Sequence, residues 1–440
     1  MSVTRMTPGA ARNESVRVQM LDNGLQVCTV RLAHVSRTHV SVMLRGGPVC
    51  EDDNTWGLSH VLEHMVFRGT RSHNDSRSVN LAADAFGGEI GGATYRDRVV
   101  FDTRVDPGSE EAAFQLLNEM LRFPRFEGFS VEKEVLREEL FEMVDDEGQE
   151  VDPDNIALRR LFSGHVLARS IEGTLNTLEA FDTRATRAFH QASYGPEHTV
   201  LVVAGPIAHR RVLGSAKKIF SSWMPGPGAR VGRPPRRLVS KKRADVVRTD
   251  LSQTSIRICF PCEGLMGPDR YALAMLCRIL DDGPASRFQS NLIDSEGLAY
   301  SLWCAVDLFE ERGVLEVGAQ VQHDRVGKVV EAICHELRAV RQKQVHASEL
   351  ARVSARVRRD FRDMRDDPSL MADAVGRGIM VGLPFVPDSI EGQMNAVRSK
   401  NVLRASQRVL SPAQAVLAMV GRPPRREVAR AEAALAGLGE

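Results

Sequence analysis

Apolar and polar residues alternate through "VRVQMLDNGLQVCTVR" (16–31), and an Asp-Asn-Gly step breaks the alternation midway. Period-two patterning on both sides of such a turn predicts a β-hairpin. A third strand is expected at "THVSVMLRGG" (38–47), with later ones at "VVFDTRV" (99–105) and "TVLVVAGP" (199–206). Between them the apolar spacing lengthens toward 3.6. "SVNLAADAFGG" (78–88), "EEAAFQLLNEMLRF" (110–123) and "SVEKEVLREELFEM" (130–143) therefore read as helices. Strands and helices without a regular βαβ rhythm predict α+β domains rather than a doubly wound sheet.

The pattern occurs twice. "YGPEHTVLVVAGPIAHRRV" (194–212) is echoed by "LSPAQAVLAMVGRPPRREV" (410–428), with Gly205 and Gly421 at matching places. Each copy reads as a helix end, a buried strand, a glycine turn and a new helix. Near 224–244 the chain is rich in Pro, Gly and basic residues, which suits a linker better than a nucleic-acid contact. The expected division is 1–223, a linker at 224–244, and a homologous domain at 245–440.

Composition narrows the setting. A chain of 440 residues is too long for one core of usual size. A net charge of +1 gives no general attraction to nucleic acid or anionic membrane. No apolar run reaches membrane-helix length, and the N-terminus lacks the apolar stretch of a signal peptide. Seven scattered cysteines fit reduced thiols, so a cytoplasmic protein is expected. "CFPC" (259–262) has redox-motif spacing but sits in strand-like sequence, which favours two core thiols.

The chemistry lies at "HVLEH" (60–64). Leu58, Val61, Leu62, Met65 and Val66 form one apolar helix face, with His60, Glu63, His64 and Phe67 opposite. Residues four apart stack one turn above each other, so His60 and His64 can hold one ion. Glu63 is placed to deprotonate a water beside it. A solvated polar face is the plain alternative for these three residues alone.

The helix at 131–144 tips the balance. Its apolar residues Val131, Val135, Leu136, Leu140, Met143 and Val144 mark an expected buried face. At about 100° per residue, Glu132 and Glu139 project within roughly 50° of that face's centre, while Glu138 and Glu142 point away. Buried carboxylates need a positive partner. Glu139 suits a third metal ligand, and Glu132 an acceptor that orients a histidine or the water; pairing of both with arginines is the other possibility. Two histidines, one glutamate and an open fourth position describe a catalytic zinc site, and amide hydrolysis is its natural reaction.

"HVLEH" followed downstream by the "EKEVLREEL" helix that carries Glu139 resembles the pitrilysin (insulinase) metallopeptidases. "GLSHVLEHMVFRGT" and "EGLAYS" (296–301) look like that family too, most of all its half-length branch of processing-type peptidases. The resemblance implies two homologous α+β domains, each a mostly antiparallel sheet packed with helices, and two chains closing around a peptide. It implies zinc on His60, His64 and Glu139, Glu63 as general base and Glu132 as a supporting acid. Family members also present an arginine and a tyrosine to the substrate or its oxyanion. Here Tyr300 is kept, but Ile293 stands where the arginine is expected. The substrate-strand motif, commonly Asn-Ala-x-Thr, reads "GGAT" (91–94) and keeps only Thr94. The expectation is a zinc-bearing subunit whose related partner supplies the arginine–tyrosine pair. The alternatives are a homodimer in which Tyr300 suffices or Arg287 fills in, and a non-catalytic assembly subunit.

Overall fold

The computed structural model describes residues 15–226, 244–383 and 386–440. The expected linker thus lies almost wholly outside the described residues. The described parts of 1–140, 170–232 and 359–390 form one compact unit, and those of 141–169, 233–358 and 391–440 a second. Neither unit is a single stretch of chain.

The first unit holds a six-stranded sheet in the order β1-β2-β6-β3-β5-β4. Its strands are β1 (Ser15–Met20), β2 (Gln26–Arg31), β3 (Thr38–Arg45), β4 (Ile90–Thr94), β5 (Arg98–Val105) and β6 (Thr199–Gly205). β1 and β2 make the expected hairpin, with Met20 opposite Gln26. Only the β2–β6 pair is parallel. The central strands β3 and β6 are buried on both faces; β6 accordingly reads as a nearly unbroken apolar run, whereas β3 also buries Thr38, His39 and Ser41. Along β6 alternate residues serve different cores. Leu201 and Val203 face the helices α1 (Leu58–Val66), α2 (Ser76–Asp84), α3 (Glu110–Arg122) and α4 (Phe129–Glu142). Val202 and Ala204 instead pack against Met371, Ala372 and Val375 of the helix Pro368–Met380.

The second unit repeats the plan with five strands in the order β7-β11-β8-β10-β9. These are β7 (Ala244–Val247), β8 (Thr254–Glu263), β9 (Ser301–Leu308), β10 (Arg312–Val321) and β11 (Val416–Val420). Again one pair is parallel, β7–β11. A helix from earlier in the chain, α5 (Pro153–Leu161), packs on β8 and β11. The equivalence is visible at the glycine after each central strand. A Cβ on Gly205 (φ 155°) would lie 2.8 Å from Thr38 Cα, and one on Gly421 (φ 144°) 2.8 Å from Thr254 Cα. Thr38 and Thr254 are separated along the chain by the same interval as Gly205 and Gly421. The "CFPC" residues lie in β8, where Cys259 and Cys262 are buried and unpaired in disulfides. No helix among the described residues is long and apolar enough to cross a membrane.

Candidate active site

Helix α1 is anchored before it is functional. Its apolar face (Leu58, Val61, Leu62, Met65 and Val66) is buried, as the periodicity predicts. Each fully buried leucine of this kind contributes roughly 1.5–3 kcal/mol. Its first turn has no side-chain cap from Gly57. Instead the buried Glu51 accepts from the N–H groups of Gly57 (2.9 Å) and Ser59 (2.8 Å). A carboxylate there satisfies otherwise unpaired donors and complements the positive end of the helix. The opposite face presents His60, Glu63 and His64, all half-buried.

Helix α4 brings the carboxylates. Glu132 is buried, Glu139 is half-buried, and Glu138 and Glu142 are exposed, as the facing argument expects. The apolar face of α4 differs from the one expected. Val131 and Val135 are 55% and 45% exposed, and the helix ends at Glu142, before Met143 and Val144. The buried stripe is Glu132, Leu136 and Leu140. The helix is therefore turned toward its paired carboxylates rather than toward its valines.

Three donor atoms converge without bonding one another. Glu139 Oε2 lies 3.6 Å from His60 Nε2 and 3.7 Å from His64 Nε2. The three ligand atoms all fall within 4.8 Å, and this is the sole such group of histidine, cysteine and acidic residues among the described residues. Ligands at ~2.0–2.2 Å from a tetrahedral zinc stand about 3.3–3.6 Å apart. The separations and the donor types fit that ion.

The surroundings set the state of each of these side chains. Burial, then the neighbouring His64, pushes the His60 imidazole down to about 3, which keeps it neutral. Burial also acts to lower His64, but the Glu132 hydrogen bond and the charges of Glu139, Glu132 and Glu63 outweigh it and raise it. Glu132 Oε1 sits 2.8 Å from His64 Nδ1. With Nδ1–H donating there, the Nε2 lone pair is directed toward Glu139. The other Glu132 oxygen is 3.3 Å from Arg68 Nη1. Glu63 accepts from the Thr94 hydroxyl at 2.6 Å. Burial raises its carboxyl, against the lowering effect of Thr94.

Glu51, Arg68 and the contact of Thr94 with Glu63 are the parts that sequence reasoning misses. Thr94 is visible as a kept motif residue, but its partner is not. Glu51 follows no helical period and leaves no signal, and Arg68 continues the four-residue spacing of His60 and His64 without revealing its partner Glu132. In the second unit, Tyr300 precedes β9 and is 88% exposed, and Ile293 occupies a π-helical turn, Phe288–Asp294. Arg287 is committed to Glu349 at 2.8 and 3.0 Å and to Glu336 at 3.5 Å.

Residues 26–175 match the family model described as Insulinase (Peptidase family M16), and residues 181–357 the one described as Peptidase M16 inactive domain. An uncharacterized zinc protease of Mycobacterium leprae is 29% identical over 337 residues, 75% of this chain and 75% of its own. The mitochondrial-processing peptidase subunit beta of Lentinula edodes is 24% identical over 425 residues, 92% of this chain and 89% of its own. The crystal structure of a protease from Helicobacter pylori shares the fold, with a TM-score of 0.84 at 18% identity. It matches 93% of this chain and 99% of that one.

Proposed function

This chain belongs to the M16 (insulinase/pitrilysin) peptidase family in its half-length, two-domain form, and from that premise we propose that it is a zinc endopeptidase acting on extended peptides. The observation that carries the reading is the convergence of His60, His64 and Glu139 beside a half-buried, hydrogen-bonded Glu63. Zinc, when bound by those three residues, supplies Lewis acidity toward a peptide carbonyl and makes water acidic enough to ionise near neutral pH. Glu63 takes the proton of the attacking water and delivers it to the departing amine nitrogen. Glu132 fixes the tautomer and ring plane of His64. β4 is an edge strand of its sheet, so it offers backbone groups with which an extended peptide can pair.

Glu63→Gln tests the mechanism. The variant should retain zinc and lose turnover of an unstructured peptide by about 10²–10⁴-fold. Near wild-type cleavage would refute the assignment of Glu63.

We further propose that this chain is the metal-bearing half of a heterodimer and that a related subunit supplies an arginine–tyrosine pair. Ile293 offers no donor, and Arg287 is held by two glutamates. One relative is itself named as a subunit. Losing a donor aimed at an oxyanion usually costs about 10²–10³ in rate. The isolated chain should bind zinc yet cleave poorly, and a partner lacking the histidine motif should restore the rate. Full activity of the chain alone, unchanged by any partner, speaks against the heterodimer.

A further inference from the structure

A glutamate that serves as a base must do two things with one carboxylate. One oxygen has to face the proton it will take, and the group must not rotate away. A free glutamate side chain has about 1.5–2 kcal/mol of rotamer freedom to lose. What removes that freedom at Glu63 comes from the sheet, not from its own helix.

Thr94 is the last residue of β4, and its hydroxyl lies 2.6 Å from Glu63 Oε2. Hydroxyl-to-carboxylate bonds of about 2.5–2.7 Å belong to the stronger class of hydrogen bond. Side chains two apart on a strand share a face, so Gly92 is directed to the same side as Thr94. A Cβ on Gly92 would lie 2.8 Å from the Phe67 ring and 3.2 Å from Glu63 Cγ. The backbone of β4 is thus pressed against the Glu63 stem, while Thr94 holds the carboxylate through its hydroxyl and its backbone N–H.

We propose that Thr94 is a positioning residue for Glu63: its hydroxyl engages Oε2 and holds the carboxylate in the orientation from which it exchanges the proton. The inference rests on the reading of Glu63 as the base. It gives Thr94 a task distinct from pairing with the peptide, which the strand's main chain performs. Because β4 is the edge strand, the strand available to an extended peptide is also the one that orients the base.

Thr94→Val removes the hydroxyl and keeps the side-chain shape, and Thr94→Ser restores it. On an unstructured peptide, in the form of the protein that turns it over, Thr94→Val should lower kcat about 10- to 100-fold. KM should stay within about threefold, and zinc content should be unchanged. Thr94→Ser should recover most of the loss. In the Glu63→Gln background, Thr94→Val should have no further effect. Crystals of the metal-free Thr94→Val protein should show the Glu63 carboxylate in more than one orientation, and those of Thr94→Ser in one. Wild-type kcat in Thr94→Val, beside an inactive Glu63→Gln, overturns the role of Thr94 and leaves Glu63 as base. An active Glu63→Gln removes both. A Thr94→Val loss confined to KM, or accompanied by loss of zinc, also overturns the inference.

Discussion

In the first unit, the helix after the central strand β3 keeps His60, Glu63 and His64 half-buried. In the second, the helix Arg270–Leu280 follows the equivalent strand β8 and buries Leu273, Met275, Leu276, Ile279 and Leu280. It contains no histidine or acid at all. The partner helix differs in the same sense. By the interval that relates Gly205 to Gly421, the counterparts of Glu132 and Glu139 are Ser348 and Ala355. Strand order, the single parallel pair and the glycine packed on a threonine are nonetheless common to both units. The shared architecture therefore makes no site by itself. A few side chains on one helix pair decide whether it encloses a cluster of histidines and acids or a core.

That contrast can be broken most sharply with His60→Leu, which gives the first helix a residue type found in the second. Zinc binding and peptidase activity should both disappear, because two donors remain where three are needed. The metal-free variant should melt no lower than the metal-free wild type, since an apolar side chain replaces a half-buried imidazole. Calorimetry and metal analysis read these separately. The reciprocal case is Leu276→Ala, at a fully buried position of the second unit. It should cost about 2–5 kcal/mol of stability in denaturant unfolding while leaving zinc affinity unchanged. A change in zinc affinity there would mean that the second unit shapes the ligand cluster. Smaller again is Glu132→Ala, expected to weaken zinc binding or activity about 10- to 100-fold. Glu138→Ala, adjacent to Glu139 but exposed, should match wild type in chelator competition. If Glu138 proved the more sensitive of the two, the rotation assigned to α4 would be wrong.

Local periodicity accounts for what is legible without the fold. The alternation around Asp22-Asn23-Gly24 predicts the β1–β2 hairpin. The spacing of Leu58, Val61, Leu62 and Met65 predicts the buried face of α1, and with it the grouping of His60, Glu63 and His64. On α4 the same reasoning places Glu132, Glu138, Glu139 and Glu142 correctly but counts Val131 and Val135 as core. Apolar periodicity weighs methyl groups only. It omits the attraction of the Glu132 carboxylate for His64 and Arg68, which belong to a distant part of the chain.

By itself the sequence determined the elements, the duplicated strand–glycine–helix pattern and the residue types able to hold a metal, because backbone geometry repeats on short, fixed periods. Tertiary structure decided everything that depends on distant segments meeting. It placed Glu139 3.6 Å from His60, set Thr94 on Glu63 and Arg68 on Glu132, and put residues 359–390 in the first unit and 141–169 in the second. No local period encodes such meetings. They follow from burying whole faces of helices and sheets at once, with every buried charge given a partner.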